Sequence, residues 1–501
     1  MILGDAYECT DRCGEMKIGF DNDKYLKMQS EHIKERISKF GGKLYLEFGG
    51  KLLDDIHASR VLPGFHVDSK LQMLLQLKDQ AEVVIVVSAE DIMNNKIRAD
   101  LGIGYDEDVL RLVKEYRSRG LYVSSVVITR YTPATSIETF QSRLERENIR
   151  VYHHFFIPGY PTDIETVISP QGYGKNEYIE TNRPLVVVTA PGPGSGKMST
   201  CLSQLYQDNR LGICAGYAKF ETFPIWNLPL NHPVNLAYEA ATADLNDINM
   251  IDPYHLKTYG ETTVNYNRDI EIFPVLRSMF ERIYGSSPYA SPTDMGVNMA
   301  GNCIIDDEVC REAGDQEIIR RYFQAAVGIA DGSKGPAELE KIKILMNQEG
   351  LRPEDRTVVA KARELESETG GVATAMELDD GKIILGHTGN IMGASAVCLI
   401  NAIRYLAGIP EGKKILSSES LQPINELKTK YMGSRNPLLH PDEMLIALSI
   451  ASLKNEDAAR ALEQLPRLKG CKTHTTARLS AIDRRTFKRL GCDLTYEPKE
   501  I

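Results

Sequence analysis

The chain has 501 residues, 42% hydrophobic and 26% charged, with a formal net charge of −10, the make-up of a globular protein with ample core and roughly two to four domains. The acidic balance, without any Lys/Arg-rich block, argues against nucleic acid as the main partner. The longest nearly apolar runs, "VVIVV" at 83–87 and "IMGASAVCLINAI" at 391–403, are too short to cross a bilayer, and no leader-like segment opens the chain. A cytoplasmic protein without a membrane partner is expected.

The opening "MILGDAYECTDRCGE" differs in texture from the rest of the chain, so residues 1–15 read as an extension with little structural role. Nine cysteines, an odd number without C-x-x-C spacing, read as mostly buried, reduced thiols. From Met16 the elements alternate. "DKYLKMQSEHIKERISKFGG" is an amphipathic helix stopped by Gly41-Gly42. "KLYLEFGG" and "EVVIVVSAED" are strands, and "DEDVLRLVKEYRSRG" is a helix with acids in its first turn and Gly120 at its end. "LYVSSVVITRY", "TSIETFQSRLERENI" and "VYHHFFI" continue as strand, helix and strand. A loop rich in Gly, Pro and Asn then runs from Pro158 to Pro184. The alternation predicts a mostly parallel sheet with helices on both faces over residues 16–235. Such sheets bind ligands beyond the carboxyl ends of their strands. "EFGGKLLDD" at 47–55 falls there, with Lys51 as a candidate second phosphate contact. His153 and His154, adjacent on a strand, point to opposite faces.

The stretch "PLVVVTAPGPGSGKMSTCLSQLYQDNR", Pro184 to Arg210, reads as a buried strand, a glycine-rich turn and a helix. Gly192, Gly194 and Gly196 allow positive φ and close backbone approach, and the helix start offers unpaired N–H groups to an anion. The pattern G-x-x-x-x-G-K-[ST] is not met, because Pro191 stands where its first glycine belongs and Met198 where its hydroxyl belongs. Counted from Gly192 the hydroxyl arrives at Ser199, but Lys197 then sits one place early, a rotation of about 100° on a helix. Pro191 and Pro193 also remove two donors. The turn is a degenerate P-loop, with Gly192, Gly194, Ser195, Gly196, Lys197 and Ser199 as candidate phosphate-binding residues. The alternative is a structural strand-to-helix turn. No G-x-S-x-G elbow appears, and Cys201 reads as a core thiol.

Beyond Trp226 the texture changes. Segment 217–269 crowds Lys219, Glu221, His232, Asp244, Asp247, Arg268, Asp269 and several Asn into a stretch with little periodicity. It reads as a substrate-facing wall or as a hydrogen-bonded scaffold. "SPTDMGVNMAGN" at 291–302, with Asp294, reads as a loop that closes on a ligand or as a capped turn. Lys219, Glu221, His232 and Asp294 are the candidate catalytic residues. Glu47, Glu90, Asp91 and Glu221 follow strand-like runs, none in a clean apolar-run-then-Asp context after the glycine turn, and each reads as a solvated loop acid or, alternatively, as a Mg²⁺-holding carboxylate.

Residues 236–370 form a mainly helical middle region, and 371–501 a second α/β block. The latter opens with a hairpin around Asp379-Asp380-Gly381. It continues through helices at about 392–408 and 440–464 and ends as strand, helix capped by Ser480 with Asp483, and short strand. A zinc deaminase needs H-x-E and P-C-x-x-C. Here His387 is followed by Thr388 and Gly389, and Cys471 with His474 supplies only two ligands. No zinc is predicted.

"GPGSGKMSTCLSQLY", "GYAKFETFPIWNLPLNHPVNLAYEAATADLND", "TTVNYNRDIEIFPVL" and "SPTDMGVNMAG" together resemble the bacterial family known as domain of unknown function 1846, from about Met16 to the C-terminus. The resemblance implies an N-terminal α/β part, a helical middle, and a C-terminal α/β part similar to the deaminase-like sandwich. It brings no catalytic assignment with it. The residues themselves point to a kinase- or ligase-like enzyme binding a nucleotide with Mg²⁺, or another phosphorylated small molecule. The alternatives are an enzyme on a phosphorylated metabolite that uses no nucleotide, and a non-catalytic ligand-binding or scaffold protein. A homo-oligomer is compatible with either.

Overall fold

The computed structural model describes residues 17–50, 52, 53, 55–98 and 101–499. The extension read over residues 1–15 and the candidate contact Lys51 lie outside them. The chain forms two compact units, divided between Gly314 and Asp315.

In the first unit seven strands build one sheet: β1 (Leu44–Phe48), β2 (Ala81–Ser88), β3 (Tyr122–Thr129), β4 (Arg150–His153), β5 (Leu185–Thr189), β6 (Gly216–Phe220) and β7 (Gly296–Val297). Their order is β7-β6-β1-β5-β2-β3-β4, and every pairing is parallel. The runs Val83–Val87 and Leu185–Val188 are fully or almost fully buried, as strands covered on both faces must be. Each such side chain contributes about 1.5–3 kcal/mol by leaving water. The edge strand β7 draws the sheet on past residue 235.

The helices are α1 (Asn22–Lys39), α2 (Tyr105–Ser118), α3 (Thr135–Arg146), α4 (Lys197–Arg210), α5 (Pro233–Ala241) and α6 (Asn267–Tyr284). Gly41 and Gly120, beyond the ends of α1 and α2, have φ of 74° and 86°, the left-handed geometry that ends a helix without Cβ strain. Leu202 and Leu205 of α4 with Phe273, Met279 and Phe280 of α6 join Tyr45, Val186, Val188 and Tyr217 of the sheet in one core. That core fixes α4 and α6 on the same face.

The helical middle continues through α7 (Asp307–Ala330), α8 (Pro336–Glu349) and α9 (Thr357–Thr369). In the second unit, β8 (Ala373–Glu377), β9 (Ile383–His387), β10 (Lys472–Thr475) and β11 (Asp493–Tyr496) form a sheet ordered β9-β8-β10-β11. The pairs β8–β9 and β8–β10 are antiparallel and β10–β11 is parallel, so the sheet is mixed. Helices α10 (Ala394–Leu406), α11 (Pro441–Ala451) and α12 (Ala481–Arg489) pack with it around Met376, Leu399, Ile403, Leu448 and Phe487. The hairpin turns at Gly381, whose N–H reaches the Leu378 carbonyl at 2.9 Å. The Ser480 hydroxyl accepts from the Asp483 amide at 3.1 Å and caps α12. Among the described residues no helix is long and apolar enough to cross a membrane.

Candidate active site

Parallel register puts Val188 of β5, Glu47 of β1 and Lys219 of β6 side by side at the carboxyl edge of the sheet. In-register neighbours share a face, so Glu47 and Lys219 point toward the side that carries α4 and α6. Asp269, in the first turn of α6, meets Lys219 there: its two carboxylate oxygens lie 2.7 and 2.6 Å from Lys219 Nζ. Glu221 Oε1 lies 2.6 Å from the same nitrogen. The side chains of Lys219, Glu221 and Asp269 are only 16, 11 and 14% exposed. Two residues earlier on β6, the Tyr217 hydroxyl donates to Glu47 Oε2 at 2.6 Å.

This cluster sets three carboxyl groups against one ammonium. Burial works against the charge on Lys219, but Asp269, Glu221 and Glu47 outweigh it and its pKa is raised. Burial pushes the Glu221 carboxyl up to about 7 against the pull of Lys219, with Asp269 and Glu47 adding to the rise. A carboxyl that titrates near neutrality while held by a lysine is the equipment of a general acid or base.

The glycine turn ends at the same edge. Gly194 and Gly196 have φ of 76° and 94°, and Gly196 is the N-cap of α4, with no side chain capping the helix. A Cβ on Gly192 would lie 2.2 Å from the Tyr105 hydroxyl, and one on Gly196 3.0 Å from Thr129 Cγ2. Ser195 is fully buried; its hydroxyl donates to the Gly192 carbonyl at 2.9 Å and its own carbonyl accepts from Thr129 Oγ1 at 2.7 Å. These residues hold the turn's frame. The ammonium of Lys197, a half-buried residue at the first position of α4, forms no hydrogen bond or ion pair among the described residues. Ser199 lies against the hydroxyls of Tyr160 and Tyr173. The Tyr173 hydroxyl is buried without closing a hydrogen bond.

Two side chains tie the turn to the acidic cluster. Burial raises the Cys201 thiol well above its usual range, and it also senses Glu47, which adds to the rise, and Lys197, which opposes it. Tyr160 is 38% exposed, yet its hydroxyl is shielded beside Ser199, and this burial with the nearby Glu47 charge raises its pKa.

Other sequence candidates have different duties. His232 caps α5: Nδ1 accepts from the Val234 amide at 3.2 Å and Nε2 lies 3.0 Å from Asp307. Asp294 closes a capping box with Ser291 and accepts from Tyr259 at 3.0 Å. Neither contacts the Lys219 cluster. Asn298 ties down the Thr222 and Pro224 carbonyls, and Asn235 bonds both backbone groups of Ile225. Segment 217–269 is therefore hydrogen-bonded scaffold for much of its length, and Lys219, Glu221 and Asp269 are the part of it that gathers in the cluster. Glu90 and Asp91 sit in surface ion pairs with Arg130 and Lys96. His154 is buried and its pKa falls to about 4, while His153 bonds Glu177 and Gln141 on the other side. Among the described residues no three His, Cys, Asp or Glu side chains group as a metal site.

Tyr160 and Tyr173 were not legible as site residues. The available signal was three tyrosines, Tyr160, Tyr173 and Tyr178, in a loop otherwise rich in Gly, Pro and Asn. For Glu47 and Lys219 it was a charge within an otherwise buried strand.

Known proteins share this sequence over almost its whole length. The model "Domain of unknown function DUF1846, N-terminal" matches residues 18–350, and its C-terminal counterpart matches 354–500. The UPF0371 protein of Corynebacterium efficiens is 56% identical, covering 97% of this chain and 98% of its own. UPF0371 proteins of Streptococcus thermophilus and Streptococcus pneumoniae are each 55% identical over 96% of this chain and 98% of theirs.

Proposed function

The chain belongs to the DUF1846 family, and from its own residues we propose that it is a cytoplasmic enzyme acting on a nucleotide or another phosphorylated small molecule, kinase- or ligase-like in its chemistry. The observation that carries this reading is the register that sets Val188, on the strand that runs into the glycine turn, beside Glu47, and Glu47 beside Lys219. The glycine turn and the cluster that holds the Glu221 carboxyl thereby share one edge of the sheet.

In this reading the degenerate P-loop at 191–199 receives the phosphates. Gly192, Gly194 and Gly196 let the backbone approach, and Lys197, free of other partners among the described residues, counters phosphate charge. Ser199 would stand near a Mg²⁺ carried by the phosphates, an ion that would neutralise their charge and needs few protein ligands in such sites. Glu221 takes the proton of the acceptor hydroxyl as that oxygen bonds the terminal phosphorus and the bridging P–O bond breaks, releasing a nucleoside diphosphate. Lys219, itself held by Asp269, keeps Glu221 in place. The C-terminal unit, for which a deaminase-like frame remains a proposal, serves ligand closure or self-association without zinc.

A second reading has its own support. The internal bonds of Ser195 and the packing of Gly192 on Tyr105 and Gly196 on Thr129 give the turn a purely structural rationale. That favours a scaffold or ligand-binding protein.

The test is a thermal-shift series on wild type and Lys197→Ala with ATP, GTP, CTP, ADP, inorganic phosphate and sugar phosphates, each with and without Mg²⁺. A ligand at 100 times its Kd stabilises the native state by about 2.7 kcal/mol. A Mg²⁺-dependent nucleotide shift lost in Lys197→Ala supports the kinase-like reading. A shift with sugar phosphates alone selects an enzyme that uses no nucleotide. A wild type that nothing moves leaves the structural turn.

A further inference from the structure

A cavity of about 510 Å³ lies inside the second unit, remote in sequence from the glycine turn and lined by residues that include Val372, Ser395, Leu439, His440, Arg478 and Asp483. Three helices begin at its wall. The lining takes in Gly393 and Ala394 at the start of α10, His440 before α11, and Ser480 before α12. Two of those starts are closed from within the chain. The Ser480 hydroxyl accepts from the Asp483 amide at 3.1 Å, and the Glu443 carboxylate reaches back to the His440 amide at 2.8 Å.

The start of α10 is different. Its N-cap is Gly393, and no side chain caps it. Ala394, Ser395 and Ala396 are 3, 5 and 0% exposed, so their first-turn amides are withdrawn from bulk water as well. A buried helix start leaves donors that need an acceptor, and the partial positive charge of the helix end adds to their pull on an anion.

A side chain at the same wall points to a ligand independently of the helix. Ser395 is 95% buried and lines the cavity, yet its hydroxyl has no hydrogen-bond partner among the described residues. His440 is held by Asp483, whose Oδ1 lies 2.9 Å from Nδ1, and by the capping box it shares with Glu443 at the start of α11. The Asp483 bond and charge hold His440 toward its protonated form, against burial and Lys428.

We propose that this cavity is a binding site for a small molecule with one oxyanion and a compact apolar body. The oxyanion sits on the Ala394–Ala396 amides and takes hydrogen bonds from the Ser395 hydroxyl and His440 Nε2. Val372, Leu439 and Leu479 cover the apolar part. Phosphoryl and carboxylate groups share the needed chemistry, and the probes separate them.

Isothermal titration of the full chain with phenyl phosphate, benzoate and inorganic phosphate tests the site. Saturable binding of phenyl phosphate or benzoate is expected, with inorganic phosphate weaker because it lacks the apolar body. Whichever of the first two binds tighter names the oxyanion. Ser395→Asp, which puts a carboxylate where the ligand's would sit, should abolish that binding, and His440→Gln should weaken it about tenfold. Lys197→Ala should leave it unchanged, which separates this site from the one at the glycine turn. Ser395→Ala keeps the proposal testable if the aspartate variant fails to fold: binding reduced several-fold with an unchanged melting profile supports it. The proposal is overturned if none of the three anions binds at millimolar concentration, if binding survives in both Ser395 variants, or if Lys197→Ala removes it.

Discussion

Lys219 and Asp269 stand 50 residues apart in sequence and meet through both oxygens of the carboxylate, at 2.7 and 2.6 Å. With Glu221 on the same nitrogen, the lysine is the hub of a largely buried network. Removing the hub leaves carboxylates without their countercharge. Lys219→Met should therefore lower stability by about 3–5 kcal/mol, the scale for breaking a buried pair from one side. Urea denaturation at pH 7 reads this directly. A loss below about 1 kcal/mol, the range of exposed ion pairs, would mean that the cluster is open to water.

Glu221 gives the network a pH signature. Its pKa moves from an ordinary 4.5 to about 7 on folding. Between those values the folded chain holds a proton that the unfolded chain has released. Stability therefore falls as pH rises from 4.5 to about 7, and the contribution is fully present only below 4.5. Glu221→Gln removes this dependence, so its stability should gain on wild type progressively across that window and level off above it. Parallel pH curves for the two proteins would refute the assignment.

The glycine turn makes a packing prediction. A Cβ at position 192 meets the Tyr105 hydroxyl oxygen before any other atom. Gly192→Ala should destabilise by about 1–3 kcal/mol through overpacking. Combining it with Tyr105→Phe, which removes that oxygen, should recover part of the loss. A double-mutant cycle with no coupling would show that the turn adapts elsewhere.

His232 separates structure from catalysis. As the cap of α5 it should cost about 0.5–2 kcal/mol when replaced by alanine. His232→Asn, which can still accept from the Val234 amide, should regain much of that. Neither should alter any ligand-induced shift at the glycine turn. A changed shift with unchanged stability would give His232 a chemical role after all.

Local signals made much of the fold legible. Val83–Val87 and Leu185–Val188 announced buried strands, Gly41 and Gly120 ended their helices, and Asp379-Asp380-Gly381 turned its hairpin. Ser480 and Asp483 sit three apart and cap α12 as the spacing requires. The two-residue strand β7 carries no such signal, since its pairing with β6 comes from tertiary packing around Trp226, whose ring leaves no space for a Cβ at Gly296. The site follows the same division. Lys219, Glu221 and Asp269 were visible as a crowd of polar residues, but nothing local distinguishes them from Asn235 or Asp252, which bond backbone. Only the sheet register and the placement of α6 choose among them.

Strand β5 enters between β1 and β2, although both precede it in the chain. During synthesis, Leu44–Phe48 and Ala81–Ser88 therefore leave the ribosome without their shared neighbour and wait until Leu185–Thr189 has emerged. The nascent chain has exposed apolar edges for that whole interval, a state open to chaperones and to misassociation. The glycine turn comes directly after this late strand, so the site cannot exist before the sheet has closed at its centre.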